Sequence, residues 1–143
     1  MAKINLQDKT AWFVGGTHDH TSRNAAQDLK ECGGFGHANP FRHVNIALDA
    51  MNDQLSIRPD VIVMVDEQPD AGRQYTDKII AAAKEKKIPV LLFTERETSE
   101  QLELAKNGVK VFPAEQMKFD PRIWTKAAVD MVEQQTRTGQ SLK

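Results

Sequence analysis

Short runs of apolar residues alternate along this chain with longer stretches in which apolar residues recur every three or four positions. The clearest runs are TAWFV (10–14), DVIVMV (60–65) and IPVLLF (88–93). A run that is apolar throughout predicts a strand buried on both faces, as in parallel sheets covered by helices. The alternation therefore predicts βα units that wind around a mostly parallel sheet.

The stretches between these runs predict five helices, over about 22–32, 44–56, 72–87, 99–107 and 121–135. VKVF (109–112) fits a further strand, and FGHANPF is ambiguous because Pro40 and its glycines suit only a poor edge strand. The periodicity also predicts which residues form the apolar helix faces. These are Ala25, Ala26, Leu29 and Cys32 in the first helix, Leu102 and Ala105 in the fourth, and Ile123 and Trp124 in the fifth.

The 143 residues suffice for one domain with a single core, and no repeat or linker divides them. We expect an α/β three-layer sandwich over 1–136, with a parallel sheet of four to five strands, and a frayed tail over 137–143. The strand order is expected to be flavodoxin-like. In such folds ligands bind at the carboxyl edge of the sheet, beside the first strand.

The charge and cysteine content narrow the function classes. With 19 basic and 20 acidic side chains the net charge is −1, so nucleic-acid binding would rest on a local patch. A single cysteine excludes an internal disulfide and a thiolate zinc cage. The aliphatic runs are too short to span a bilayer, and MAKINLQDKT lacks the apolar stretch of a signal peptide. We therefore expect a cytoplasmic protein with no membrane partner.

The loop after the first strand, in FVGGTHDHTSRN, combines glycines with hydroxyl groups and a positive charge. Gly15 and Gly16 permit a close backbone approach to a ligand, and Thr17 and Ser22 offer hydroxyls. The helix that follows directs its amino end, with Arg23, at the same place. This pattern predicts an anion site, with a phosphate as the most suitable guest. An ordinary glycine turn with an N-cap is the alternative interpretation.

Four histidines fall in two segments that we expect at one edge of the sheet. His18, His20 and His37, together with Asp66, suit a metal ion such as zinc. The same histidines also suit acid–base chemistry on a bound phosphate ester. No complete catalytic constellation is present in the sequence, so no residue is assigned as catalytic and no cofactor is expected.

The amino-terminal part of the chain resembles a BRCT domain, the phosphate-recognising module of DNA ligases and repair proteins. LQDKTAWFVGG leading to TSRNAAQDLKECGG carries the resemblance over 6–34, and TDKIIAAAKEKKIPVLLFTE carries it loosely over 74–95. The resemblance implies a BRCT-like topology as an alternative. It also implies that a phosphate is held by Gly16 or Thr17 and by Lys78. A helix over 42–56 and a further βα unit after residue 95 depart from the family pattern.

The second half resembles a receiver domain of response regulators. RPDVIVMVDEQPDAG, IPVLLFTE and AKNGVKVF match the third, fourth and fifth strands of that family with their flanking residues. The resemblance implies Asp66 as phosphoacceptor and Thr94 as its hydroxyl partner. GGTH replaces the acidic pair of the family, which removes the magnesium site that phosphotransfer needs. We therefore infer shared architecture from this resemblance, and no phosphotransfer.

Three hypotheses follow. The first, which the loop and the BRCT-like entry favour, is a non-enzymatic module that recognises a phosphate on a peptide, a DNA end or a nucleotide. It predicts that Gly15, Gly16, Thr17, Ser22, Arg23 and Lys78 converge. The second is a small enzyme acting on a nucleotide-like ligand through the loop histidines. The third is a receiver-like scaffold that binds a protein partner or a second copy of itself.

Overall fold

A computed structural model describes residues 6–15, 21–41, 43–53, 58–66, 72–114 and 121–141. After a 3₁₀ turn at Leu6–Asp8, five strands alternate with five helices. The strands are β1 (Thr10–Val14), β2 (His37–Phe41), β3 (Val61–Val65), β4 (Val90–Thr94) and β5 (Val109–Pro113). The helices are α1 (Thr21–Glu31), α2 (Val44–Asn52), α3 (Gly72–Glu85), α4 (Thr98–Lys106) and α5 (Pro121–Ser141). The predicted βα alternation is confirmed.

All five strands run parallel in one sheet, in the order β2-β1-β3-β4-β5. This is the flavodoxin-like order, and the predicted α/β fold is therefore confirmed. The chain leaves β1 toward β2 on one side and later crosses to β3 on the other. The switch point of the sheet lies between the carboxyl ends of β1 and β3, at Val14 and Met64, which are paired in register.

The sheet separates two apolar cores because successive side chains of a strand point to opposite faces. Ala11 and Phe13 of β1 belong to the core under α1 and α5, where Trp124 is almost fully buried. Trp12 and Val14 belong to the other core, under α2, α3 and α4. β1 and β4 are buried along their whole length, which explains why each is apolar except for one terminal threonine.

The ambiguous segment FGHANPF contains the edge strand β2, where only Ala38 is buried and Pro40 is exposed. An edge strand tolerates proline because one side of its backbone has no partner strand. Within the described residues, no helix combines the length and apolar composition needed to cross a membrane.

Several positions assigned to apolar helix faces are exposed. Cys32 lies one residue beyond the end of α1, in the turn, and is therefore exposed. Leu102 on α4 is 59% exposed and Ile123 on α5 is 54% exposed, because Leu104 and Trp124 make the core contacts of those helices. Ala105 is also exposed. The backbone of α5 continues to Ser141, beyond its predicted end and into the segment predicted to fray.

Candidate functional site at the carboxyl edge of the sheet

The candidate site is the carboxyl edge of the sheet around the switch point. Gly15 directly follows β1, Asp66 directly follows β3, and α1 begins at Thr21 after the loop from β1. In a parallel sheet each helix after a strand begins at the carboxyl edge, so the amino end of α1 faces this edge. The fold therefore brings Gly15, the start of α1 and Asp66 to one side of the molecule.

Gly15 is required by the sheet itself. Its φ of +103° lies in the region that favours glycine, and its N–H donates to the carbonyl of Phe41 at 2.8 Å. A Cβ at this position would lie 2.8 Å from the carbonyl oxygen of Val65 on β3. The close neighbour of Gly15 is therefore the backbone of β3. This contact accounts for the glycine whether or not a ligand binds.

The remaining predicted anion-site residues are placed only in part. Gly16 and Thr17 lie outside the described residues, and only the helical backbone of Ser22 is described. Arg23 is exposed in the first turn of α1. Lys78 is on α3, whose Ile79 and Ala83 pack on the opposite face of the sheet from α1, and its Nζ lies 5.4 Å above the ring of Tyr75. The described contacts do not bring Lys78 to Arg23.

Asp66 is the centre of a buried polar network. The hydroxyl of Thr94, at the end of β4, donates a hydrogen bond to Asp66 Oδ2 at 2.8 Å. Arg96, two residues later, donates from Nε to the same oxygen and from Nη2 to Asp66 Oδ1 at 3.1 Å. The same Nη2 reaches Asp77 Oδ1 on α3 at 2.8 Å. The network ties β3, β4 and α3 together at the carboxyl edge.

The network holds charges away from water. The side chains of Asp66 and Arg96 are 3% and 6% exposed, whereas that of Asp77 is 55% exposed. Burial by itself would lower the pKa of the Arg96 guanidinium. The hydrogen bonds and charges of Asp66 and Asp77 outweigh burial and raise that pKa above its ordinary value. Arg96 is therefore a permanent cation, and its two-pronged contact neutralises the buried carboxylate.

The segment that carries Arg96 is fixed by further hydrogen bonds. The N–H of Arg96 donates to Thr94 Oγ1 at 3.0 Å, and the Arg96 carbonyl accepts a hydrogen bond from Gln101 Nε2 at 2.6 Å. Thr94 Oγ1 thus accepts from the Arg96 backbone while its O–H donates to Asp66. The backbone of Arg96 is therefore held from β4 and from α4.

Of the histidines in the predicted metal site, the structure describes only His37. His18 and His20 lie outside the described residues. His37 begins β2 and pairs with Thr10, the first residue of β1, so it lies at the amino edge, across the sheet from Asp66. The expectation that His37 and Asp66 share an edge is therefore wrong, because parallel pairing puts the start of β2 beside the start of β1. Across the described part of the chain, no three metal-ligating side chains form a metal site.

Sequence reasoning brought Asp66 and Thr94 together through the receiver resemblance, and the structure places them in contact. It missed Arg96 and Asp77. One signal was available: an arginine two residues after a buried strand, in FTER, lies at the same edge as an aspartate that follows a neighbouring strand.

Comparison with known proteins adds no assignment. The chain matches no protein-family model, and no curated protein gives a match. Its function is therefore argued from its own residues.

Proposed function

We propose that this chain is a non-enzymatic binding module that recognises a phosphate-bearing ligand at the carboxyl edge beside β1. The observation that carries the proposal is the strand order β2-β1-β3-β4-β5, which puts the carboxyl end of β1, with Gly15, at the switch point. Ligands of open α/β sheets bind outside the carboxyl ends of the strands at such a point. The amino end of α1 supplies unpaired N–H groups and a positive dipole there.

Arg23 adds a full positive charge to this site. It is exposed in the first turn of α1, where a guanidinium can meet an anion held at the helix end. The dipole contributes about 0.3–1 kcal/mol, and each charge-assisted hydrogen bond contributes roughly 1.5–3 kcal/mol. Two or three such contacts give millimolar to tens of micromolar affinity, on the order of −4 to −6 kcal/mol. A useful ligand therefore carries more than its phosphate, as a phosphopeptide, a DNA end or a nucleotide does.

The Asp66 network favours binding over catalysis. Both carboxylate oxygens accept hydrogen bonds, and Arg96 compensates the charge. A direct catalytic role of this carboxylate would require breaking the ion pair. The same ion pair keeps the Asp66 charge from repelling an anion bound beside β1.

A receiver-like scaffold for a protein partner is the second candidate. The 2.8 Å contact between Thr94 and Asp66 favours it, because these two residues match the phosphoacceptor pair of the receiver resemblance. Arg96 occupies the carboxylate that a phosphoryl group would need. This candidate therefore also excludes phosphotransfer. Incubation with acetyl phosphate and Mg²⁺ is expected to add no phosphoryl mass, and an aspartyl phosphate on Asp66 would refute both candidates.

Thermal-shift titration tests the binding module. The probes are inorganic phosphate, ATP, a phosphoserine peptide and a 5′-phosphorylated oligonucleotide, each organic probe paired with its unphosphorylated form. A ligand at 100 times its Kd stabilises the native state by about 2.7 kcal/mol, which shifts the melt by several degrees. We expect a phosphate-dependent shift without metal. A melt that no phosphorylated probe moves would refute the proposal.

Three variants locate the site. Arg23→Ala is expected to remove the shift, while Lys30→Ala, in the last turn of the same helix, is the matched control and leaves it intact. Lys78→Ala tests the lysine implied by the BRCT resemblance, and a lost shift would add that residue to the site. A shift that survives Arg23→Ala would move the phosphate away from α1.

A further inference from the structure

A cavity of about 450 Å³ lies at the opposite, amino edge of the sheet. Ile88 and Pro89, which lead into β4, line it together with Met131 of α5. We propose that this cavity is a second binding site, for a small organic anion with an apolar body. Its volume falls within the range of about 300–1,000 Å³ that is typical of small-molecule sites.

The apolar part of the cavity is built from side chains that belong to the cores. Ile88 is 5% exposed and is part of the core under α2, α3 and α4. Met131 packs against the core under α1 and α5. The floor therefore lies where the two cores meet at the sheet edge, and it offers a methionine, a soft side chain that adapts to different apolar ligands.

Positive charge lies along one wall of the cavity. Lys84, in the last turn of α3, and Lys87, just after it, both line the cavity. Lys84 donates a hydrogen bond from Nζ to a neutral group, Asn107 Oδ1, at 2.9 Å. The carboxyl end of α3 contributes about half a negative charge, which two full lysine charges exceed. An anionic group is therefore favoured at this rim.

The wall that carries the lysines is preorganised. The N–H of Ile88 donates to the carbonyl of Ala83 and that of Lys87 to the carbonyl of Lys84, so α3 ends in a Schellman motif. The Lys87 carbonyl also accepts a hydrogen bond from Gln135 Nε2 of α5 at 3.0 Å. These bonds hold the turn after α3 against α5. Because the turn is already ordered, little binding free energy is lost in ordering it when a ligand binds.

The ligand class follows from these features: a carboxylate or sulfonate on an aromatic or aliphatic body. The test uses 8-anilinonaphthalene-1-sulfonate (ANS) as the probe and follows its fluorescence with the native protein. Its uncharged analogue, N-phenyl-1-naphthylamine, reports the apolar contribution alone, and inorganic sulfate reports the charge alone. We expect one saturable ANS site, binding of the uncharged analogue at least tenfold weaker, and competition by decanoate but not by sulfate.

Two double variants assign the site. Lys84→Gln/Lys87→Gln is expected to weaken ANS binding about tenfold, since each lysine contributes a partly screened charge close to the sulfonate. Lys30→Gln/Lys106→Gln makes the same change in net charge in the last turns of α1 and α4, outside the cavity. We expect it to change the affinity less than twofold. Far-UV circular dichroism checks that all variants remain folded.

Three results would overturn the proposal: no ANS binding to the folded wild-type protein, equal binding of the uncharged analogue, or equal losses in the two double variants. Equal losses would assign ANS to the general charge of the protein. The wild-type arms need no variant, so the proposal stays testable if a substitution harms folding. None of these results depends on phosphate binding at the other edge.

Discussion

Replacing Arg96 by methionine should be among the most destabilising single changes at the carboxyl edge. The substitution keeps a long apolar side chain but removes the guanidinium that bonds both oxygens of Asp66, a carboxylate that is 3% exposed. The hydroxyl of Thr94 remains as a hydrogen-bond donor to the carboxylate. Removing one member of a buried ion pair costs about 3–5 kcal/mol, because the charge left behind stays desolvated.

That loss is large beside the stability of an ordinary domain, about 5–15 kcal/mol. In a chain of this size it corresponds to a fall in melting temperature of roughly 10–15 °C. Asp77→Ala provides a matched comparison, since it removes a contact to the same guanidinium from a side chain that is 55% exposed. An exposed ion pair contributes less than about 1 kcal/mol, and we expect a loss of that size.

Urea denaturation at pH 7, followed by circular dichroism, measures these losses. A double-mutant cycle adds Asp66→Asn and the pair Asp66→Asn/Arg96→Met. If the two residues act as a buried pair, the double variant loses less than the sum of the single losses, by about 1.5 kcal/mol or more. Additive losses, or an Arg96→Met loss no larger than that of Asp77→Ala, would refute the reasoning.

Three further changes are predicted to alter the free energy of unfolding, measured in the same way. Gly15→Ala should cost about 2–4 kcal/mol, from its positive φ and the approach of its Cβ to Val65; a loss below about 1 kcal/mol would contradict this. Lys87→Gly should raise the free energy of unfolding by up to about 1 kcal/mol, because Lys87, in the turn after α3, has a φ of +61°, which favours glycine. A lower free energy of unfolding would contradict this prediction. Partial burial, and then Glu31, raise the pKa of Asp28, so its ionised carboxylate destabilises the fold. Asp28→Asn should therefore raise the free energy of unfolding slightly at pH 7, by well under about 1 kcal/mol because the carboxylate is largely solvated, and should not change it near pH 2, where the carboxyl is protonated in both the folded and the unfolded state; a gain independent of pH would refute this reasoning.

The central strands could be predicted from sequence because burial on both faces leaves a continuous apolar run. Observed β1 spans the predicted residues, and β3 and β4 begin within two residues of their predicted starts. β2 could not be predicted in this way because it is not buried on both faces. It lies at the edge, exposes Pro40, and keeps only Ala38 buried, so it has no apolar run to detect.

Helix faces were predicted less well where a helix is short or where several apolar positions compete. α4 has nine residues, and either Leu102 or Leu104 could have faced the sheet from periodicity alone. In the structure Leu104 packs against the core that contains Val109 of β5, and Leu102 is exposed. Likewise, the sequence did not show whether His37 lies at the amino or the carboxyl edge of the sheet, because its segment was ambiguous as a strand. The register of β2 with β1 decides that it lies at the amino edge.

Arg96 shows why a site is harder to predict than a fold. A buried arginine looks like any polar loop residue in the sequence, since burial of a charge leaves no local pattern. Its partners lie 30 and 19 residues away, one directly after β3 and one on α3, and only the parallel strand order brings them together. The receiver resemblance pointed to two members of the network, Asp66 and Thr94, and implied a phosphoacceptor role for them. The ion pair with Arg96 opposes that role. An aspartate at the end of a central strand therefore indicates chemistry only after its counter-charge has been located.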